Sequence, residues 1–361
     1  MDKNNLYTLN DAWVAWENGE KFPIAFFGDS TFDGDNTTEW IPNELGKESK
    51  SKNAFSKHLE NLIREATNND VMRVYNAGFA GQTLSWGYEN IEKAFGDNSD
   101  YKDTKMVGIG FGINDRLDYK SYKQYRENFK KNLIDTIKWF KDKGIQPFLL
   151  TSQAIISPGV KTEYIKEYPL RTACSVSIIA NEVKREIAEE ENLEIIDLNY
   201  FTEKYLLYSK KSLNEIISDK LHFGDVGHAY EAGLIFKEIC PRVIEVKESC
   251  KIDYSNQKVL GVAEDWISFC GGDFKLEVNT TKSNFDNTKI FDAYIFIESN
   301  REFILKGYCE KAHKSYAKIN DEIISLNNKE TYLGELDLGL YHIEVFTGDT
   351  NKVDFKGVKL K

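Results

Sequence analysis

The chain has no apolar run approaching the roughly 20 residues that cross a bilayer, so no membrane-spanning helix is expected. It also has no excess of basic charge. Its 47 Lys and Arg against 58 Asp and Glu leave a formal net charge of −11. Like charges repel, which disfavours unaided binding to nucleic acid or to an anionic membrane, but not to a neutral or basic glycan. Cysteine is sparse: Cys174, Cys240, Cys250, Cys270 and Cys309 are an odd number and form no CxxC pair. Neither a disulfide framework nor a zinc site follows, and the thiols read as buried or idle. Internal repeats and low-complexity stretches are absent. The opening MDKNNLYTLNDAWVAWENGEK lacks the basic start, apolar middle and small-residue cleavage site of a signal peptide. The expected location is therefore cytoplasmic, or secreted if a leader has been removed.

What is present is the composition of a packed protein, 41% hydrophobic and 13% aromatic over 361 residues, enough for two domains. From about 22 to 245, apolar runs alternate with helical patterns. The runs are 23–27 (PIAFF), 71–77, 106–111 (MVGIGF), 147–151 and 193–198. Runs this apolar suit strands covered on both faces. Between them, Tyr122, Tyr125, Phe129, Leu133, Ile137 and Phe140 recur at steps of three and four, and Gly144 ends the helix they mark. Phe55, Leu59, Leu62 and Ile63 mark an earlier helix, and Ile179, Val183 and Ile187 a later one. The alternation predicts an α/β fold with a doubly wound parallel sheet, whose sites lie at the carboxyl ends of the strands. After about 250 only short runs remain: FKLEV (274–278), AYIFI (293–297), FIL (303–305), EIISL (322–326) and YHIEVF (341–346). Gly, Asn and Asp separate them. They predict a smaller antiparallel β-sandwich, jelly-roll-like, with domains at 1–248 and 249–361.

Chemistry enters with FFGDSTFDG (26–34), where a strand delivers Gly-Asp-Ser to the sheet's edge. A serine there is a nucleophile only beside a base; otherwise it merely caps a helix. Of the five histidines, His222 stands three residues after Asp219 in SDKLHFGDVGH, so one turn can aim a carboxylate at the imidazole. His58 falls in an amphipathic helix, His313 and His342 in the β-rich region, and His228 reads as structural. Developing negative charge needs preformed N–H donors. NAGFAGQT (76–83), with glycines at 78 and 81, can bring backbone close to a ligand, and GIND (112–115) offers the Asn114 amide. The bland alternatives are turn glycines and an Asn bonded to loop backbone.

Together these pieces resemble the SGNH, or GDSL-like, hydrolase superfamily. GDS at 28–30, NAGFAGQT at 76–83, GIND at 112–115 and DKLH at 219–222 stand in the order of the family's four marker blocks, over roughly residues 20–245. The resemblance implies Ser30 as nucleophile, His222 as base and Asp219 as its orienter. It implies an oxyanion hole of the Ser30 and Gly81 N–H groups and the Asn114 side chain. No metal or organic cofactor is implied. The tail GDSTFDG departs from the more usual GDS-[IT]-T-x-G, and Phe32 is expected to narrow the pocket mouth.

The expected partner is an acylated carbohydrate or another small ester, with removal of a small acyl group, chiefly acetyl. A β-sandwich joined to such a domain resembles bacterial carbohydrate acetylesterases. The other readings are a lipase or thioesterase, a sugar O-acyltransferase, and a glycan-binding protein without catalysis. Candidate substrate contacts are Asp29, Phe32, Trp40 and Trp86, and Asp33, Asp35 and Glu39 predict an acidic first loop. In the sandwich, Trp266, Tyr294, Tyr308, Tyr332 and Tyr341 read as core ahead of a glycan platform. No loop has convincing calcium-ligand spacing. The sandwich is also a candidate for binding glycan, shaping the site's rim or mediating oligomerisation.

Overall fold

The structure, a computed structural model, describes residues 6–117, 121–155, 173–219, 221–247, 252–253, 258–259, 266–267, 288–298, 303–312, 314–348 and 353–360. The chain divides into two compact units: Met1–Leu207 with Lys211–Cys240, and Tyr208–Lys210 with Pro241–Lys361.

In the first unit, the apolar runs become β1 (Ile24–Gly28), β2 (Val74–Gly78), β3 (Met106–Ile109), β4 (Gln146–Leu150) and β5 (Ile195–Ile196). They form one parallel sheet in the order β2-β1-β3-β4-β5. All residues of β1 to β4 are buried, as a sheet covered on both faces requires. Helices α4 (Leu84–Phe95), α5 (Tyr122–Asp142) and α6 (Ala173–Glu191) cover one face, around Phe27, Phe95, Phe111, Phe129 and Phe140. On the other face lie α1 (Leu9–Glu17), α3 (Phe55–Thr67) and α9 (Asp225–Ile239), where Phe26 meets Phe55 and Trp13 meets Phe236 edge to face. The predicted doubly wound sheet is the one observed.

Two features of this unit were not legible as patterns. The polar opening segment hides α1, whose Trp13 and Trp16 are buried and whose Thr8 and Asp11 make a capping box. Helix α3 has no side-chain cap of its own, because Ala54 precedes it. His228 of α9 supplies the missing acceptor: its Nδ1 takes the Phe55 N–H at 3.3 Å. His228 is thus structural, but it caps a neighbouring helix and not its own.

The second unit is mostly β. One sheet has the order β13-β12-β15-β10-β6 and the other β14-β11-β16-β9. Their strands are β6 (Val243–Lys247), β9 (Trp266–Ile267), β10 (Thr288–Glu298), β11 (Phe303–Lys311), β12 (Ser315–Ile319), β13 (Glu322–Ser325), β14 (Lys329–Leu336), β15 (Gly339–Thr347) and β16 (Asp354–Leu360). A separate two-residue pair joins β7 (Ile252–Asp253) to β8 (Lys258–Val259). Alternate residues of both sheets meet in one core: Phe291, Ile295, Ile297, Ile343 and Val345 from the first, Leu305, Leu333 and Val358 from the second. Of the aromatics read as core, Tyr341 packs there, Tyr332 is exposed, and Tyr294 stacks on His342. FKLEV (274–278) lies outside the described residues.

Two expectations change. β6 pairs in parallel with β10, so the sandwich is not wholly antiparallel. The two compact units divide at 240/241, with 208–210 joining the second, where domains of 1–248 and 249–361 were expected. The charged spacing of VIEVK gave no sign of which sheet it joins.

Candidate active site

Strand β1 ends at Gly28, and the chain turns at once into the short helix α2 (Ser30–Asp33). Asp29 caps that helix, its Oδ1 accepting from the Thr31 N–H at 3.0 Å and the Thr31 hydroxyl at 2.9 Å. Ser30 is therefore the first helical residue, held at the carboxyl end of β1. Gly78, the last residue of β2, makes this turn possible. A Cβ there would stand 2.1 Å from the Asp33 nitrogen, so only glycine allows α2 to lie against β2.

The imidazole beside Ser30 arrives from far along the chain. His222 Nε2 lies 2.8 Å from Ser30 Oγ, and His222 Nδ1 lies 2.6 Å from Asp219 Oδ2. Asp219 Oδ1 accepts the backbone N–H groups of His222 at 2.6 Å and Leu221 at 2.9 Å. The carboxylate thus shapes the loop with one oxygen and orients the ring with the other. Burial pushes the Asp219 carboxyl up, but the bonds from the His222 ring and from the two backbone amides outweigh it and hold it below the usual range. The loop is fixed by two residues that the motifs do not mark. Asn36 Nδ2 donates to the His222 carbonyl at 3.1 Å, and Gln153 Nε2 donates to the Leu221 carbonyl at 2.9 Å.

The second loop, 79–83, passes beside this turn. The Ala80 N–H donates to Asp33 Oδ2 at 3.2 Å and the Gln82 N–H to the Phe79 carbonyl at 3.2 Å. The Gly81 N–H between them has no acceptor among the described residues, and Gly81 itself takes φ +74°, where other residues are strained. Asn114 opens the 3₁₀ turn after β3 and donates through Nδ2 to the Gln82 carbonyl at 3.1 Å. That bond joins the third loop to the second. Its neighbour Asp115 accepts the first amide of α4, Leu84 N–H, at 3.1 Å.

A buried ammonium lies below these loops. Lys184 of α6 is fully buried, with Ser152 Oγ at 3.4 Å from Nζ. Burial pushes its pKa down to about 7, against the opposing charges of Asp29 and Asp115. Nothing in the local sequence distinguishes this lysine from the solvated ones around it.

Several expected substrate contacts are not at the surface. Asp29 is fully buried as a cap, so it is not a substrate contact. Phe32, also buried, packs edge to face on Phe26 and Phe55, under the turn and not at a pocket mouth. Trp86 is half-buried and tilts against Phe79, while Trp40 is half-buried with its indole nitrogen enclosed. The acidic first loop is reduced as well. Asp33 points inward, and burial raises its pKa to about 7 against the bond from Ala80 and the indole of Trp40. Glu39 is paired with Lys52 at 3.1 Å. Asp35 alone stays by the site, its Oδ2 3.9 Å from His222 Nε2.

Among the described residues, no helix is long and apolar enough to cross a membrane. No curated protein matches the sequence significantly. Solved structures similar to the chain include a lipase/acylhydrolase from Enterococcus faecalis, 24% identical over 60% of this chain and 95% of that one, with a TM-score of 0.43. They also include an acetylxylan esterase from Geobacillus stearothermophilus, 19% identical over 60% of this chain and 94% of that one, with a TM-score of 0.45. A family model described as GDSL-like lipase/acylhydrolase matches residues 24–235, which is more than half the chain and contains the whole of the site. The chain belongs to the GDSL-like lipase/acylhydrolase family.

Proposed function

We propose that this protein hydrolyses esters through an acyl-enzyme on Ser30, and that its substrates are small acyl esters, chiefly acetates, of a carbohydrate. The observation that carries the reading is the hydrogen-bonded chain from Ser30 Oγ through His222 to Asp219, at 2.8 and 2.6 Å. His222 Nε2 takes the Ser30 proton as Oγ bonds to the ester carbon. Asp219 keeps the Nδ1 proton in place and stabilises the imidazolium that forms. The carbonyl oxygen, now an anion, is received by the N–H groups of Ser30 and Gly81, with Asn114 as the third donor that the family resemblance implies. The carbon–oxygen bond to the alcohol breaks, and Nε2 returns the proton to the leaving oxygen. Water then loses a proton to Nε2 and attacks the acyl carbon. The bond to Oγ breaks, Oγ recovers the proton, and the acid leaves.

Support for a polar alcohol comes from the groups beside Ser30 and His222. Asp35 and Asn36 are adjacent to the dyad, whereas the aromatic Phe32 is buried beneath it. The test is acyl release by wild type and Ser30→Ala, using p-nitrophenyl esters from acetate to octanoate beside acetylated glycans. Turnover selective for acetate is expected, with Ser30→Ala lowering it at least about 10³-fold. A preference for long chains would replace the carbohydrate reading with a lipase or thioesterase. Turnover unaffected by Ser30→Ala would overturn the mechanism.

A further inference from the structure

Asp35 follows Gly34, the C-cap of α2, and its backbone N–H donates to the Ser30 carbonyl at 3.2 Å, so its position is tied to that of the nucleophile. Its side chain is 31% exposed, yet no donor hydrogen-bonds the carboxylate among the described residues. The neighbouring acids are otherwise engaged. Asp219 orients His222 from the Nδ1 side, Asp33 is turned inward onto Ala80, and Glu39 is held by Lys52. Asp35 approaches the imidazole from the Nε2 side, at 3.9 Å, the side on which the reacting ester lies.

This placement constrains the alcohol half of the substrate. The leaving oxygen takes its proton from Nε2 and must come within roughly 3 Å of it. Two oxygens so close to one nitrogen are near enough for a hydroxyl on the next carbon of the alcohol to reach the carboxylate. Resting on the ester-hydrolase reading above, we infer that Asp35 is a specificity-determining residue, selecting esters whose alcohol carries a free hydroxyl beside the scissile oxygen. When such an ester binds, it displaces water from a carboxylate that no donor among the described residues engages. A hydroxyl replaces the lost hydrogen bonds. An ester without a donor leaves a desolvated charge unpaired, and an anionic alcohol adds repulsion.

The inference is tested on a vicinal diol monoacetate and on its analogue with the free hydroxyl O-methylated, with wild type, Asp35→Ala and Asp35→Asn. Wild type should favour the free hydroxyl by about 10- to 100-fold in kcat/KM, the range of a hydrogen bond to a charged group. Asp35→Ala should lose most of that ratio, while Asp35→Asn, still an acceptor but uncharged, should keep part of it. A ratio that survives in Asp35→Ala, or an active wild type with no ratio, overturns the inference and leaves the hydrolase reading intact. Thermal unfolding checks that the variants are folded; a wild-type ratio near one overturns the inference whether or not they are. Acetylcholine forms a separate arm: if Asp35 favours it over both diol esters, the partner is a cation and the hydroxyl assignment falls. No turnover of any of these esters or of p-nitrophenyl acetate overturns the underlying reading, and the inference with it.

Discussion

Asp219 serves two masters within four residues of chain, since Oδ1 closes the turn onto two amides and Oδ2 holds the imidazole. An amide in its place can keep the first task through its oxygen, but presents a donor to Nδ1. Asp219→Asn is therefore expected to lower kcat by about 10³–10⁴-fold by favouring the wrong tautomer, with thermal stability nearly unchanged. Steady-state kinetics beside a melting curve separate these. At this scale the residues legible in the sequence were those whose roles depend on local spacing: a carboxylate three before a histidine, a serine just after an apolar run. Asp29, Phe32 and Asp33 were not, because burial is decided by what packs over them. An acidic residue beside a reactive serine looks the same in a string whether it caps a helix, points inward or faces substrate.

Among elements, α3 and α9 are joined by a bond that titrates. His228 is fully buried, and burial, with the nearby charges of His58 and His222, pushes its pKa down to about 3. Between about 6.5 and 3 the unfolded chain therefore binds a proton that the folded chain refuses. Folding loses about 1.4 kcal/mol of stability from this group for each pH unit of descent through that window. Glu231, one turn along α9, is pushed well above its usual range by burial and works in the opposite sense. The informative quantity is thus a difference: His228→Gln, which keeps an acceptor for Phe55 but cannot titrate, should lose less stability than wild type between pH 7 and pH 5. Urea unfolding at the two pH values measures it. The strands β1 to β5 followed from unbroken apolar runs, and helices α3, α5 and α6 from apolar residues that recur at steps of three and four. α1, β12, β14 and β16 did not, because their polar and apolar residues are too evenly mixed to show a face before the partner strand or helix is in place.

For the molecule as a whole, the formal charge of −11 is a property of encounter and not of chemistry. The screening length is about 30 Å at 0.01 M salt and about 3 Å at 1 M. An anionic acetate ester should therefore show a lower kcat/KM than a neutral one of the same shape, and the gap should narrow as salt rises. Any part of the gap that persists at high salt belongs to groups at the site, with Asp35 as the first to replace.

The 192 positions between Ser30 and His222 also set a schedule. A ribosome adding about 5–20 residues per second exposes the serine turn roughly 10–40 s before its partner has been translated. On the proposed mechanism the hydroxyl is an ordinary alcohol through that interval, and the nascent chain cannot cleave esters in its surroundings. Competence arrives in one late event, when the loop carrying His222 docks onto a sheet whose strands have all been made.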